Sequence, residues 1–147
     1  MQIQTKFLGE VDIQEEEIIL FGDGIPGLEE YHQFVLISLG EEMPFSVLQS
    51  INEPQIGFIV ADPFKIKKDY AFDLSDVEKE VLTITGPSDV LTQVIVTVKD
   101  PFEESTINLL APIIINVNNR KGKQIILQDN SKFPIRYPLH ALEGSVK

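Results

Sequence analysis

The sequence predicts an all-β protein, mainly an antiparallel small barrel or sandwich-like barrel, with one or two short helices. Three observations carry that expectation. Most segments are short runs of β-branched and aromatic residues punctuated by Gly, Pro, Asn and Asp, the composition of strands and their turns. Helical periodicity is confined to one good stretch and one further turn. Strands do not alternate with long helical patterns, which argues against a parallel α/β sheet. At 147 residues the chain fits one domain. That domain is expected over residues 1–142, with 143–147 as a frayed tail.

Taken in order, the candidate strands begin with Ile3–Leu8 and Glu17–Phe21. Phe34–Leu39 and Phe45–Ile51 follow, and Gly40-Glu41-Glu42 can close them into a hairpin. Gly57–Ala61 runs into Asp62-Pro63, where the proline has no ladder donor. Between the strands, Gly27–Tyr31 fits a single turn. Leu74–Leu82 is the best helix, with Ser75 as N-cap and Glu78 completing a capping box. Leu74, Val77 and Val81 would share one face of it. Leu91–Val98 is almost wholly β-branched after Gln93, the pattern of a central strand. Ile113–Val117 and Lys123–Gln128 flank Asn118–Lys123, a hairpin signal in which Gly122 is available for φ > 0. Residues 129–147 are polar and contain proline, and they read as a tail lying on the surface.

Charge narrows the partners. Lys and Arg number 12 against 23 Asp and Glu, a net charge of −11. Residues 7–64 hold 12 acids and no Lys or Arg, so that segment carries −12 and the remainder +1. Nucleic acid and anionic membrane surfaces are therefore disfavoured, and a basic protein is the natural complement. There is no Cys, hence no disulfide framework and no thiol nucleophile. The N-terminus lacks a signal-peptide pattern. The longest apolar run, Leu109–Ile115, is far short of the about 20 residues a membrane span needs. These features read as a soluble, cytoplasmic protein.

Chemistry is hard to assemble. His32 and His140 are the only histidines, one in an acidic surface stretch and one near the C-terminus. No nucleophile elbow or metal-ligand spacing exists, so neither a cofactor nor a metal is expected. Glu15-Glu16-Glu17 reads as a solvated turn or strand edge. Asp62-Pro63-Phe64 and Asp100-Pro101-Phe102 echo one another, either as strand-ending turns or as a pair of exposed aromatic anchors at one barrel rim. Gly22–Gly27 is glycine-rich but lacks the Lys and Ser/Thr of a phosphate loop. It fits a shaped turn, or else a partner-binding loop.

Phe21-Gly22-Asp23-Gly24-Ile25-Pro26-Gly27-Leu28-Glu29 resembles the G-I-P-G-[FL]-E signature of the flagellar assembly factor FliW family. Matches continue through Pro44-Phe45, Leu48-Gln49-Ser50, Asp62-Pro63 and Ile95–Val98 to Thr106–Ile113, which is similar to the family's T-x-N-L-x-A-P-[IV] stretch. The likeness spans about residues 1–142. One departure is Arg136-Tyr137-Pro138-Leu139, where the family tends to R-H-x-L. The resemblance implies a non-enzymatic protein with two partners. One is flagellin, through its C-terminal segment; the other is CsrA, a basic RNA-binding translational repressor that the factor antagonises. Flagellin level would thereby control its own translation.

Under that reading Glu15, Glu16, Glu17, Glu29 and Glu30 are candidates to meet CsrA. Phe45, Phe64 and Phe102 are candidate apolar anchors if their rings are exposed. Asn108 is a candidate either as a partner contact or as the organiser of a turn. A small-molecule-binding β-barrel or a carboxylate-dependent enzyme is the competing expectation. It would require a deep pocket with two facing carboxylates.

Overall fold

The computed structural model describes residues 1–40, 44–129 and 132–139. Among these residues eleven strands form, in chain order: β1 (Gln2–Gln4), β2 (Glu10–Asp12), β3 (Ile19–Phe21), β4 (Gln33–Ser38), β5 (Phe45–Ser50), β6 (Gly57–Ala61), β7 (Val90–Thr97), β8 (Thr106–Ile107), β9 (Ile113–Asn116), β10 (Lys121–Gln124) and β11 (Tyr137–Pro138). Two short helices, α1 (Pro63–Ile66) and α2 (Asp76–Val81), lie between β6 and β7.

β3 to β7 form an antiparallel meander. β10 pairs with β3 in parallel, β9 pairs with β10, and β9 closes onto β7. The result is a seven-stranded closed barrel, from which β8 and β11 extend off β7. Closure removes the sheet edges that would otherwise invite pairing.

Alternation along each strand decides what fills the barrel. Phe34 and Leu36 of β4, Leu48 of β5 and Val60 of β6 point inward with Ile19, Phe21, Ile113 and Ile115. The interior is packed with side chains and is no ligand cavity. Gly122 of β10 faces this interior, where a Cβ would lie 2.8 Å from Phe21 Cζ and 3.0 Å from Ile19 Cγ2.

The outer face of the same strands is also apolar; it is covered over Ile114 of β9 by Leu74, Leu82 and Ile125, and in two further places. The β1–β2 hairpin packs Ile3 and Val11 against Val35 and Ile37 of β4. Further round, Ala61, Val94 and Val96 are covered by Ile66, Tyr70, Ile107, Leu109, Phe133 and Leu139. Gln49, fully buried in β5, ties the hairpin down: its Oε1 accepts from the Lys6 N–H at 3.0 Å, and its Nε2 donates to Ser50 O at 3.0 Å.

Several sequence expectations need correction. Ile3–Leu8 is not one strand; it is β1 followed by a turn into β2, with Gly9 at φ 69°. The hairpin after β9 turns on Arg120 at φ 60°, so Gly122 belongs to a strand and β10 starts two residues before the expected Lys123. Gly122 is required there by packing against Phe21 rather than by turn conformation. Ser75 does cap α2, with Glu78 completing the box, but Val77 and Val81 face solvent and only Leu74 packs inward. The segment 132–139 is not a surface tail: Phe133 and Leu139 are buried, and β11 pairs with β8. The expected turn residues Glu41 and Glu42, His140 and the frayed end 143–147 lie outside the described residues.

Candidate functional site

An open apolar groove remains on the outer face of β5, β6 and β7, between two of the covered areas. Phe45, Ile59 and Val96 form its floor. The Lys6–Phe7 turn of the N-terminal hairpin makes one wall, and Val98 and Phe102 make the other. The cavity is about 570 Å³. Phe7 is 48% exposed, Val98 54% and Phe102 49%. An exposed apolar surface gathered in this way is the mark of an interaction site.

The loop behind Phe102 is built locally. Asp100 and Pro101 are joined by a cis peptide bond, and Phe102–Glu104 form one 3-10 turn. Buried Ser105 accepts the Lys99 N–H on its Oγ at 2.8 Å, which closes the loop. The Phe102 ring packs edge-on against Phe45, with centroids 5.8 Å apart. Phe45 itself is only 8% exposed, so the expectation of an exposed anchor there is corrected: Phe45 is the floor on which Phe102 rests. It begins a barrel strand, which forces its ring against the outer core.

The other Asp-Pro-Phe sequence behaves differently. Asp62 caps α1, accepting the Phe64 N–H at 3.0 Å, with Pro63 in the first helical position. Phe64 is 43% exposed and lines a second groove, about 550 Å³, with Phe72, Leu74 and Ile84 and with polar Asp73, Lys79 and Thr85. Phe64 and Phe102 therefore do not form one pair of anchors at one rim. Tyr70 closes the base of that second groove. Its buried hydroxyl donates to Leu109 O at 2.7 Å, and burial raises its pKa well above the ordinary phenol value. A smaller depression is lined by Leu20, Val81, Lys121 and Lys123.

The glycine-rich loop is explained by its own conformation. The Leu28 N–H donates to Ile25 O at 2.7 Å, with Pro26 and Gly27 between them and Gly27 at φ 88°. This is the signature of a type II turn. Gly24 sits at φ 71°, and a Cβ there would lie 2.5 Å from Glu29 Cα. Glu29 accepts the Gly27 N–H at 2.9 Å, and that bond holds its carboxyl below the usual carboxylate range. Asn108 likewise organises a turn, its Oδ1 accepting from the Leu110 and Ala111 N–H groups at 3.0 and 3.1 Å.

The acidic candidates do not converge. Glu15, Glu16 and Glu17 form an exposed 3-10 turn just before β3. Glu29 and Glu30 lie in the loop leaving the other end of that strand. Glu53 joins that second group: the Tyr31 phenol is held above its ordinary value first by the Glu30 carboxylate, then by desolvation and by Glu53. His32 is exposed, as expected, with Nδ1 2.9 Å from Phe21 O. Sequence reasoning missed Phe7, Val98 and Gln49. A Gln inside an apolar strand was the available signal for Gln49; Phe7 and Val98 carried none, because only folding leaves them open.

The described residues contain no cluster of His, Cys, Asp or Glu arranged to hold a metal ion, and no helix among them is long and apolar enough to cross a membrane. A model of the FliW protein family matches residues 2–139. A flagellar assembly factor FliW from an Exiguobacterium species is 46% identical over all of both chains. The Bacillus subtilis (strain 168) flagellar assembly factor FliW is 46% identical over 95% of this chain and 96% of its own. A crystal structure of a flagellar assembly factor FliW superposes with a TM-score of 0.88 at 47% identity, covering 95% of this chain and 96% of that one. With agreement in sequence and fold over nearly its whole length, the chain belongs to the FliW family of flagellar assembly factors.

Proposed function

We propose that this protein is a non-catalytic cytoplasmic regulator that binds the C-terminal segment of flagellin and antagonises the translational repressor CsrA. When flagellin accumulates it occupies the protein and CsrA is free to repress. When flagellin is exported, the protein is released and restrains CsrA. The observation that carries this reading is family membership along nearly the whole chain.

The surface is chemically compatible with both partners. CsrA is basic where it grips RNA phosphates, and a chain of net charge −11 attracts such a partner at long range. Flagellin's terminal segments are amphipathic helices, and open apolar grooves are the surfaces that accept such helices. The competing reading, a ligand-binding barrel or a carboxylate enzyme, loses support because side chains fill the barrel interior.

The test is calorimetry with purified proteins at micromolar concentration. Binding is expected to CsrA and to a flagellin C-terminal segment. Failure to bind either one refutes the function.

A further inference from the structure

We infer that the parting between β6 and β7 is a docking site for an extended peptide, which adds to β6 as a strand and turns a carboxylate toward Lys6. The occupant is defined by that chemistry, whichever protein supplies it.

The seam between β6 and β7 is short. The two strands pair only at Val60–Ile95 and Ala61–Val94. On the N-terminal side of Val60, β6 pairs with β5 alone, from Gly57 onward. Beyond Ile95, β7 pairs through Val96 and Thr97 with β8, which lies on its far side. Among the described residues no strand fills the space between. The backbone of β6 is aimed into that space. Ile56 O accepts the Ser50 N–H, and the Asp62 N–H donates to Pro44 O, both on the β5 side. Peptide groups alternate in direction along a strand, so Gly57 and Ile59 direct theirs away from β5 and into the gap. A row of such groups is a template for another strand, and charges or prolines are the usual means of blunting it. Gly57, Phe58 and Ile59 supply neither.

The apolar groove lies over this edge. Its lining takes Gly57, Phe58 and Ile59 from one strand and Val96 and Val98 from the other. Phe58 packs toward the barrel interior and Ile59 toward the outer cluster. An added strand would alternate its side chains between these two apolar sides, so backbone bonds and side-chain pockets act together. Charge sets the end of the site. Lys6 is the only charged residue of the lining, and it has no ion pair among the described residues. It stands at the Gly57 end of β6, where a Cβ on Gly57 would lie 3.2 Å from Lys6 Cβ. A carboxylate at that end of the peptide is its complement.

The test titrates isotope-labelled full-length protein with a short peptide of alternating valine and threonine, acetylated and amidated, with one glutamate at each end. At millimolar probe the Gly57 and Ile59 amide signals are expected to shift and their exchange with solvent to slow. Methylating the probe's backbone nitrogens along one edge removes donors and should weaken binding about tenfold, the loss of one or two hydrogen bonds. Lys6→Glu, at an exposed position, should weaken binding at low salt and by less at high salt. If millimolar probe leaves both amides unmoved, the docking site is wrong. If probes methylated along either edge bind as tightly as the parent, side chains alone make the contact and strand addition is overturned. If Lys6→Glu binds equally well at low salt, the carboxylate assignment falls.

Discussion

Replacing Gln49 by leucine tests how the N-terminal hairpin is held on the barrel, and so how one wall of the groove is fixed. The Gln49 side chain is fully buried and makes four hydrogen bonds: from the Lys6 N–H at 3.0 Å, and to Ser50 O at 3.0 Å, Pro54 O at 3.3 Å and Glu53 O at 3.4 Å. Leucine has similar bulk, so the cavity left is small and the cost is mainly polar. The two short bonds leave Lys6 N–H and Ser50 C=O without these partners, at about 1–3 kcal/mol for each group fully deprived of a partner. The two longer bonds are weak. The added apolar burial offsets part of the loss, and a net destabilisation of about 2–3 kcal/mol is expected. For a domain of 147 residues that corresponds to a Tm lower by roughly 5–10 °C. Urea denaturation measures the free energy, and amide hydrogen exchange locates it. The Lys6 amide should exchange faster by more than the global loss of stability accounts for, because the hairpin turn loses its tether. A leucine variant within about 0.5 kcal/mol of the unsubstituted protein, with Lys6 exchange unchanged, would refute the argument.

Other expectations follow from the same geometry. Gly122→Ala should destabilise by about 1–3 kcal/mol, because its Cβ would meet Phe21 Cζ at 2.8 Å in a filled barrel; thermal melting reads this, and no loss would mean the barrel has slack there. Charge reversal of Glu15, Glu16 and Glu17 should slow CsrA association at low salt and flatten its salt dependence in stopped-flow traces; an unchanged on-rate removes that turn from the interface. Asp89 accepts from Thr85 N–H and Oγ1–H and from Gly86 N–H, and these bonds lower its pKa, the Thr85 backbone bond most. A lowered folded-state pKa means that its contribution to stability is present above the ordinary aspartate value and is lost as pH falls through the lowered one. An NMR titration of the Asp89 carboxyl should show a midpoint below that of an unstructured aspartate, and Asp89→Asn should remove this part of the acid sensitivity.

What the sequence determined by itself is everything decided within a few residues. The β-branched runs became the barrel meander, because alternation and turn chemistry are local. Ser75 and Glu78 cap α2, Pro26 and Gly27 make their turn, and Asn108 folds its Oδ1 onto the next N–H groups, each through bonds spanning three residues or fewer. The family signature was legible for the same reason: it encodes a self-contained loop. The net charge of −11 and its concentration in residues 7–64 were also plain.

Only the tertiary structure decided where these pieces meet. The parallel pairing of β10 with β3 placed Gly122 against Phe21. Burial of one helix face depends on a partner elsewhere in the chain; Leu74, just before the cap of α2, found one, and Val77 and Val81 on the helix did not. Phe45 and Phe102, far apart in sequence, became floor and wall of one groove, while the two similar Asp-Pro-Phe turns were sent to different grooves. The acids stayed divided because β3 separates Glu15–Glu17 from Glu29 and Glu30. Exposure and proximity are properties of packing between distant segments, and the periodicity of one segment holds no record of what will lie across from it.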